Sequence, residues 1–329
     1  MELIKQAIEK GAKLYASISG GKDGQAMVKT LQNWGFDIAG LVHADLGRVE
    51  WPQSAEMCLR LQRETKIPLH VVRRSDGLDM LAYWTRRKNK LIGTGKPFWS
   101  SAQNRYCTSD LKRGPINKFF TACEDFIISC EGVRAQESAS RAKKSPIEIR
   151  WSKCSSYYNS IHDEQAAAVK KIDAWEKEEK RKKGVNKSAV TGQADIDRKA
   201  VIATAVQKVI SSFVPGKKLA LTWYPIFYFT AADVWNTYGV NVMDLRMARA
   251  EYKKTGIVPE WWPFHPAYVF GNDRVSCMFC VLGSLNDLTV AAGQNPKLLQ
   301  EMINLEEEGG ATFKHNWSLK ELPSTNVIV

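Results

Sequence analysis

The segment Lys13–Gly24 (KLYASISGGKDG) constrains this chain more than any other. Lys13 to Ser19 is short, mostly apolar and stops at a glycine pair, which predicts a buried parallel strand. From Gln25 to Trp34 the apolar residues Ala26, Met27, Leu31 and Trp34 fall at helical spacing. A strand that passes through Gly20-Gly21 straight into a helix opens a βαβ unit. The same turn leaves several N–H groups unpaired at the positive end of a helix dipole, where an anion is stabilised. Adjacent glycines let the backbone approach that anion without a Cβ in the way. Ser17 and Ser19 offer hydroxyl donors and Lys22 a positive charge. The spacing is not that of a Walker A loop, which is wider and ends in Lys-Ser/Thr.

Further strands are predicted at Asp37–Asp45, Pro68–Val72 and Phe126–Cys130, with a helix over Pro52–Thr65. Strands alternating with helices at this spacing predict an α/β fold with a mostly parallel sheet flanked by helices. Such sheets bind ligands outside the carboxyl ends of their strands. The loops after Ser19, Asp45 and Cys130 are therefore expected at one edge. Three segments are expected: an α/β nucleotide-binding domain over 1–150, a charged helical insertion over 151–215, and a C-terminal segment over 216–329. Within the insertion, Lys170 to Lys183 is dense in charge and reads as a helix with a solvated face. A second helix is expected over Asp195–Ser211, with Ile196, Ala200, Ala203, Val206, Val209 and Ile210 on one face.

The 329 residues carry a formal net charge of +12, which attracts polyanions and anionic small molecules. No apolar run is long enough to span a bilayer. The amino-terminal stretch is interrupted by charges and reads as an amphipathic helix rather than a signal peptide, so a cytoplasmic protein is expected. Seven cysteines then predict packing, metal-ligand or redox thiols rather than a disulfide framework. Cys277 and Cys280 form a Cys-x-x-Cys, which alone fits a zinc half-site, an iron–sulfur half-site or a redox pair. Cys58, Cys123 and Cys130 read as buried structural thiols.

The glycine loop, SGGKDG, resembles the PP-loop of ATP pyrophosphatases and of the phosphoadenosine phosphosulfate (PAPS) reductase group, with Gly24 where that family usually has serine. His43-Ala44-Asp45-Leu46-Gly47 with Glu50-Trp51-Pro52 is similar to the family's second-strand motif. Arg105-Tyr106-Cys107-Thr108-Ser109-Asp110-Leu111-Lys112 is similar to its central cysteine and lysine motif. Gly132-Val133-Arg134-Ala135-Gln136-Glu137-Ser138 with Arg141 looks like its Gly-x-Arg-x-x-Glu-Ser segment. Tyr224-Pro225-Ile226 with Asp233-Val234-Trp235 resembles its Pro-Ile…Asp-Val-Trp segment, and Cys277-Met278-Phe279-Cys280 its closing Cys-x-x-Cys.

This resemblance implies ATP with Mg²⁺ as ligands of Ser17, Ser19, Gly20, Gly21, Lys22, Asp23, Gly24, Asp45, Lys112, Gly132, Arg134 and Arg141, with Lys22, Asp23 and Arg134 acting in catalysis. It also implies that Cys107 joins Cys277 and Cys280 at a metal centre. Cluster-bearing relatives often have a Cys-Cys pair where this chain has Cys107-Thr108. Three readings follow: a [4Fe–4S] cluster on three thiolates with one open iron, a fourth ligand such as Cys154, or Zn²⁺ or nothing. The activity implied is ATP pyrophosphatase-type adenylation of an acceptor, DNA or tRNA given the basic charge, for sulfur transfer. Its style is that of the DNA phosphorothioation proteins, with a sulfur donor such as a cysteine desulfurase. The alternatives are a sulfonucleotide (PAPS/APS) reductase, against which the absence of a cysteine after Cys280 is expected to weigh, and a non-catalytic nucleotide- or nucleic-acid-binding subunit.

Overall fold

The structure is a computed structural model that describes residues 1–323; the last six residues of the expected third segment lie outside them. Six strands form one sheet in the order β3-β2-β1-β4-β6-β5. They are β1 Lys13–Ile18, β2 Ile38–Ala44, β3 Leu69–Val72, β4 Phe126–Glu131, β5 Ile147–Ile149 and β6 Leu219–Trp223. The pairs β1–β4, β2–β3 and β4–β6 are parallel, and β5 runs antiparallel to β6. The expected α/β class with a mostly parallel, helix-flanked sheet is what the chain adopts. Helices α1 Glu2–Glu9, α2 Lys22–Asn33, α3 Pro52–Thr65 and α4 Met80–Leu91 alternate with the first strands.

Strand order reverses between β1 and β4. Ser17 pairs with Glu131 in that register, so the chain leaves β1 and β4 from adjacent carboxyl ends. This is the switch point at which open α/β sheets take their ligands.

Several boundaries differ from those read in the sequence, for local reasons. Helix α2 starts at Lys22, three residues before the apolar pattern becomes visible, because its first turn carries the polar Lys22 and Asp23. The helix expected from Asp195 starts at Lys187, where the Asn186 side chain accepts from the Ser188 and Ala189 amides. The helix before it spans Asn159–Glu179. Strands β5 and β6 were not anticipated: β5 has only three residues, too few to show alternation, and β6 (LALTW) is buried throughout and shows no period.

Contacts divide the chain into two compact units that interleave in sequence. One comprises residues 1–17, 27–40 and 119–231; the other comprises 18–26, 41–118 and the chain from Ala232 onward. In the first, Leu14, Ala16, Ile128, Cys130 and Leu221 are buried along the strands, and α1 buries Ile4 and Ala7. The second holds two aromatic-rich cores. Trp51, Trp84, Phe98, Trp99, Phe279 and Phe313 belong to one, where Trp84 and Trp99 meet edge to face at 5.0 Å. Trp235, Trp262, Phe264 and Tyr268 belong to the other. Each such side chain contributes roughly 1.5–3 kcal/mol through burial, which leaves these cores without need of a disulfide; all seven cysteines are free. No helix among the described residues is long and apolar enough to cross a membrane.

Candidate nucleotide and thiol sites

The glycine loop follows β1 and is shaped by what lies behind it. Gly20 has φ +76°, and a Cβ there would stand 2.8 Å from the Ser54 carbonyl oxygen, so glycine is required on two counts. Ser54 is itself held: its hydroxyl lies 3.3 Å from His265 Nε2, while His265 Nδ1 accepts from the Ala267 amide at 3.0 Å. Nδ1 is thus the acceptor nitrogen, and Nε2 carries the proton that it donates to Ser54. The Gln25 side chain donates to the Gly20 carbonyl at 3.0 Å and closes the turn.

Lys22 is the buried cation of the loop, 6 % exposed. Its ammonium is 2.8 Å from Asp23 and lies 5.6 Å and 5.4 Å from the ring centroids of Trp235 and Tyr268. Its amide donates to the Tyr268 hydroxyl at 3.3 Å. Aromatic faces stabilise a desolvated cation by roughly 0.5–2 kcal/mol and fix where it points. Ser17 Oγ, at the end of β1, is buried and has no hydrogen-bond partner among the described residues. A buried hydroxyl without a partner is costly. Ser19 is exposed, and Gly24 lies in the first turn of α2. A Cβ at Gly24 would meet Ile18 at 3.6 Å, an ordinary contact, so glycine is not sterically required there.

Beneath the loop, His43 is 2 % exposed. Its Nδ1 donates to the Ile18 carbonyl at 3.2 Å, and its Nε2 lies 3.4 Å from Glu50, which also accepts from the Leu46 amide at 3.3 Å. The Ile18 carbonyl can only accept, so Nδ1 carries a proton. Burial would lower its pKa, but the bonds to Cys58 and Glu50 outweigh burial and push it up to about 10. Asp45, at the end of β2, accepts from the Gly47 amide at 2.7 Å and from Arg73 Nε at 2.7 Å. Its carboxylate is therefore already engaged.

In the other unit, Gly132 and Arg134 follow β4. Arg134 is 5 % exposed, and its Nη1 donates to Gln136 Oε1 at 3.2 Å. The Glu137 carboxylate accepts from the Arg134 amide at 2.9 Å and pairs with Arg141. One acid thus organises both arginines of the motif.

Lys112 sits in a π-helical turn, Ser109–Arg113, between the short helix Tyr106–Thr108 and the helix Gly114–Ala122. Single π turns of this kind are frequent at functional sites. Cys277 raises the Lys112 pKa most, against the opposing effect of burial, with Glu50, Cys280 and Cys107 adding to the rise. Burial pushes the Cys277 thiol up to about 12, with Lys112 opposing. Lys112 thus lies within electrostatic reach of all three thiols. The Cys-x-x-Cys turn is pinned by the Met278 amide, which donates to the Val49 carbonyl at 2.9 Å. Lys314 donates to the Gly283 carbonyl at 2.6 Å, and burial lowers its pKa.

Among the described residues, no three His, Cys, Asp or Glu side chains are set to hold a single metal ion. A sulfur-held cluster needs thiolate ligands, and a closed zinc site needs four ligands, of which these thiols could supply three. The Cys154 thiol lies against the Arg150 and Ala220 carbonyls at 3.5 and 3.7 Å, and burial pushes its pKa up to about 11.

Tyr268, Trp235, His43, Glu50, Ser54 and His265 were not singled out as site residues from sequence. His43, Glu50 and Trp235 fell inside quoted motifs; Ser54, His265 and Tyr268 carry no local signal. No curated protein gives a significant match to this chain. The family model for the phosphoadenosine phosphosulfate reductase domain matches residues 13–256, well over half of the sequence. With the glycine loop at the switch-point strand β1 and the arginine motif after β4, the chain belongs to the phosphoadenosine phosphosulfate reductase domain family.

Proposed function

We propose that this protein is an ATP-dependent adenylating enzyme that activates a nucleic acid, or a related acceptor, for sulfur transfer. The observation that carries the reading is Lys22, a buried ammonium held by Asp23 and two aromatic rings in the glycine loop that follows β1. Such a loop suits the phosphates of ATP. An acceptor oxygen attacks the α-phosphorus, the bond to the β-phosphate oxygen breaks, and pyrophosphate leaves with both electrons of that bond. A sulfur nucleophile then displaces AMP from the adenylated acceptor. Loop N–H groups, Lys22 and Arg134 would stabilise the charge that develops, and Asp23, the loop's carboxylate, would hold the Mg²⁺ brought with the nucleotide. Lys112, Gly132 and Arg141 complete the proposed nucleotide contacts. Asp45 joins them only if Arg73 gives way.

Cys107, Cys277 and Cys280 would hold an iron–sulfur cluster, with Lys112 as counter-charge; when bound it would supply an open iron position for sulfide, which a donor such as a cysteine desulfurase, delivering persulfide sulfur, yields only with two electrons from a dithiol reductant. The protein's style is that of the DNA phosphorothioation proteins. The family match itself favours a second reading, reduction of a sulfonucleotide to sulfite. The two are separated by incubating the anaerobically prepared protein with ATP and DNA or tRNA, and separately with PAPS or APS and a dithiol. AMP and pyrophosphate dependent on nucleic acid support adenylation. Sulfite from the sulfonucleotide supports reduction. Nucleotide binding with neither product leaves a non-catalytic binding subunit.

A further inference from the structure

We propose that the two-helix arm Asn159–Glu179/Lys187–Ser211 is a nucleic-acid arm, whose lysine tip grips the phosphate backbone of the acceptor beyond the sheet's ligand-binding edge. This rests on the nucleic-acid acceptor of the proposed function and assigns it a surface.

The direction of the arm follows from contacts inside one unit. Near its carboxyl end the second helix lies at the amino edge of the sheet: Phe213, just past it, packs on Phe126 at the start of β4 at 4.7 Å. Midway, Lys199 reaches the other edge. Its ammonium donates to the Ala142 carbonyl at 3.0 Å and lies 5.7 Å from the Phe227 ring, and these residues follow β4 and β6 respectively. Lys187 is twelve residues further out, about 18 Å along a helix that rises 1.5 Å per residue. The tip therefore stands well beyond the carboxyl edge of β4 and β6, on the side where Arg134 and Arg141 leave the sheet.

Charge is distributed unevenly along the arm. At the level of the sheet edge it is internally neutralised. Arg198 donates to Asp173 at 2.7 Å and Asp195 at 2.9 Å and also pairs with Glu176, while Lys208 meets Glu164 at 2.6 Å nearer the base. Lys180 and Arg198 hold the Glu176 carboxyl down to about 2. Residues 177–187 hold six cations against two acids. Lys180 and Lys182 are paired, and Arg181 is 4.0 Å from Glu178. Lys177, Lys183 and Lys187 are exposed and have no carboxylate partner among the described residues. Trp175, 40 % exposed, offers a stacking face on the same arm. A solvated helix needs no such separation. Arg198 and Lys208 are ion-paired and Lys170 and Lys171 stay exposed along the arm, but the excess of four cations over residues 177–187 is concentrated at its tip and suits a polyanion that approaches the sheet's ligand-binding edge.

The test uses the full chain, a short duplex DNA, a single-stranded DNA and tRNA, with affinity measured across salt concentration. The variants are Lys177→Ala/Lys183→Ala/Lys187→Ala and, for comparison, Lys10→Ala/Lys90→Ala/Lys297→Ala, which removes equal charge elsewhere. The arm predicts at least a tenfold loss of affinity near physiological salt, and a log–log salt slope shallower by about two to three, since each phosphate contact contributes about 0.9. ATP affinity should be unchanged. Equal effects in both triple variants, or no effect of the arm variant on a wild-type chain that does bind, overturn the arm alone. A wild-type chain that binds no nucleic acid at low salt overturns the acceptor reading and the arm with it.

Discussion

His43 and Glu50 form a buried ion pair, Nε2 to carboxylate at 3.4 Å, directly beneath the strand end that enters the glycine loop. The other ring nitrogen donates to the Ile18 carbonyl, and with its pKa pushed up to about 10 the imidazole is charged at neutral pH. The pair fixes the turn after β2 and the exit of β1 at once.

That charge state has a pH signature. The folded pKa of His43 is raised from 6.5 to about 10. Its contribution to stability is therefore complete below pH 6.5 and is lost as pH rises toward 10. Urea unfolding between pH 6 and 10 should show the wild type losing stability across this window. In His43→Gln the fall should be shallower. Identical slopes in the two proteins would remove His43 as the titrating group.

Gly20→Ala should weaken the fold and the loop together. Left-handed φ costs a residue with a side chain about 1–3 kcal/mol, and here the new methyl also meets the Ser54 carbonyl. Gly35 has the same φ of +76° but open space around it. Gly35→Ala should lose only the backbone part, so equal losses in urea melts would rule out the Ser54 contact.

Lys22→Met should leave the fold intact, since the new side chain still packs on Trp235 and Tyr268. ATP affinity should fall at least tenfold, about 1.4 kcal/mol, on removal of the buried charge. Calorimetric titration checks it, with circular dichroism as the control; unaltered affinity in a folded variant would take Lys22 out of the site.

Gly24→Ser restores the hydroxyl usual in the family. The position meets only ordinary contacts with Ile18, so thermal stability should hold or rise slightly, because serine has the higher helix propensity. ATP should bind several-fold more tightly if the hydroxyl reaches a phosphate. Weaker binding would mean that the bare backbone is used there.

Protein prepared without oxygen should be brown and contain iron. Cys107→Ser, Cys277→Ser and Cys280→Ser should each reduce the iron, and Cys58→Ser should not. A colourless protein free of iron and zinc, with all three thiols titratable, would end the cluster proposal.

What the sequence determined alone was whatever is written in adjacent residues. An apolar strand meeting a glycine pair and a helix specifies the βα turn, and strand–helix alternation specifies the parallel sheet, because both are local patterns of burial. The order of the motifs likewise carried the family. The tertiary structure decided everything that depends on residues far apart in sequence. The shape of the Gly20 turn depends on Ser54, and the seat of Lys22 on Trp235 and Tyr268, more than two hundred residues away. That Asp45 is engaged by Arg73, and that Glu137 governs both arginines, also needed the fold. The charged insertion shows the division most simply. Its composition was legible, but which of its lysines are neutralised depends on which carboxylates the facing helix brings within reach.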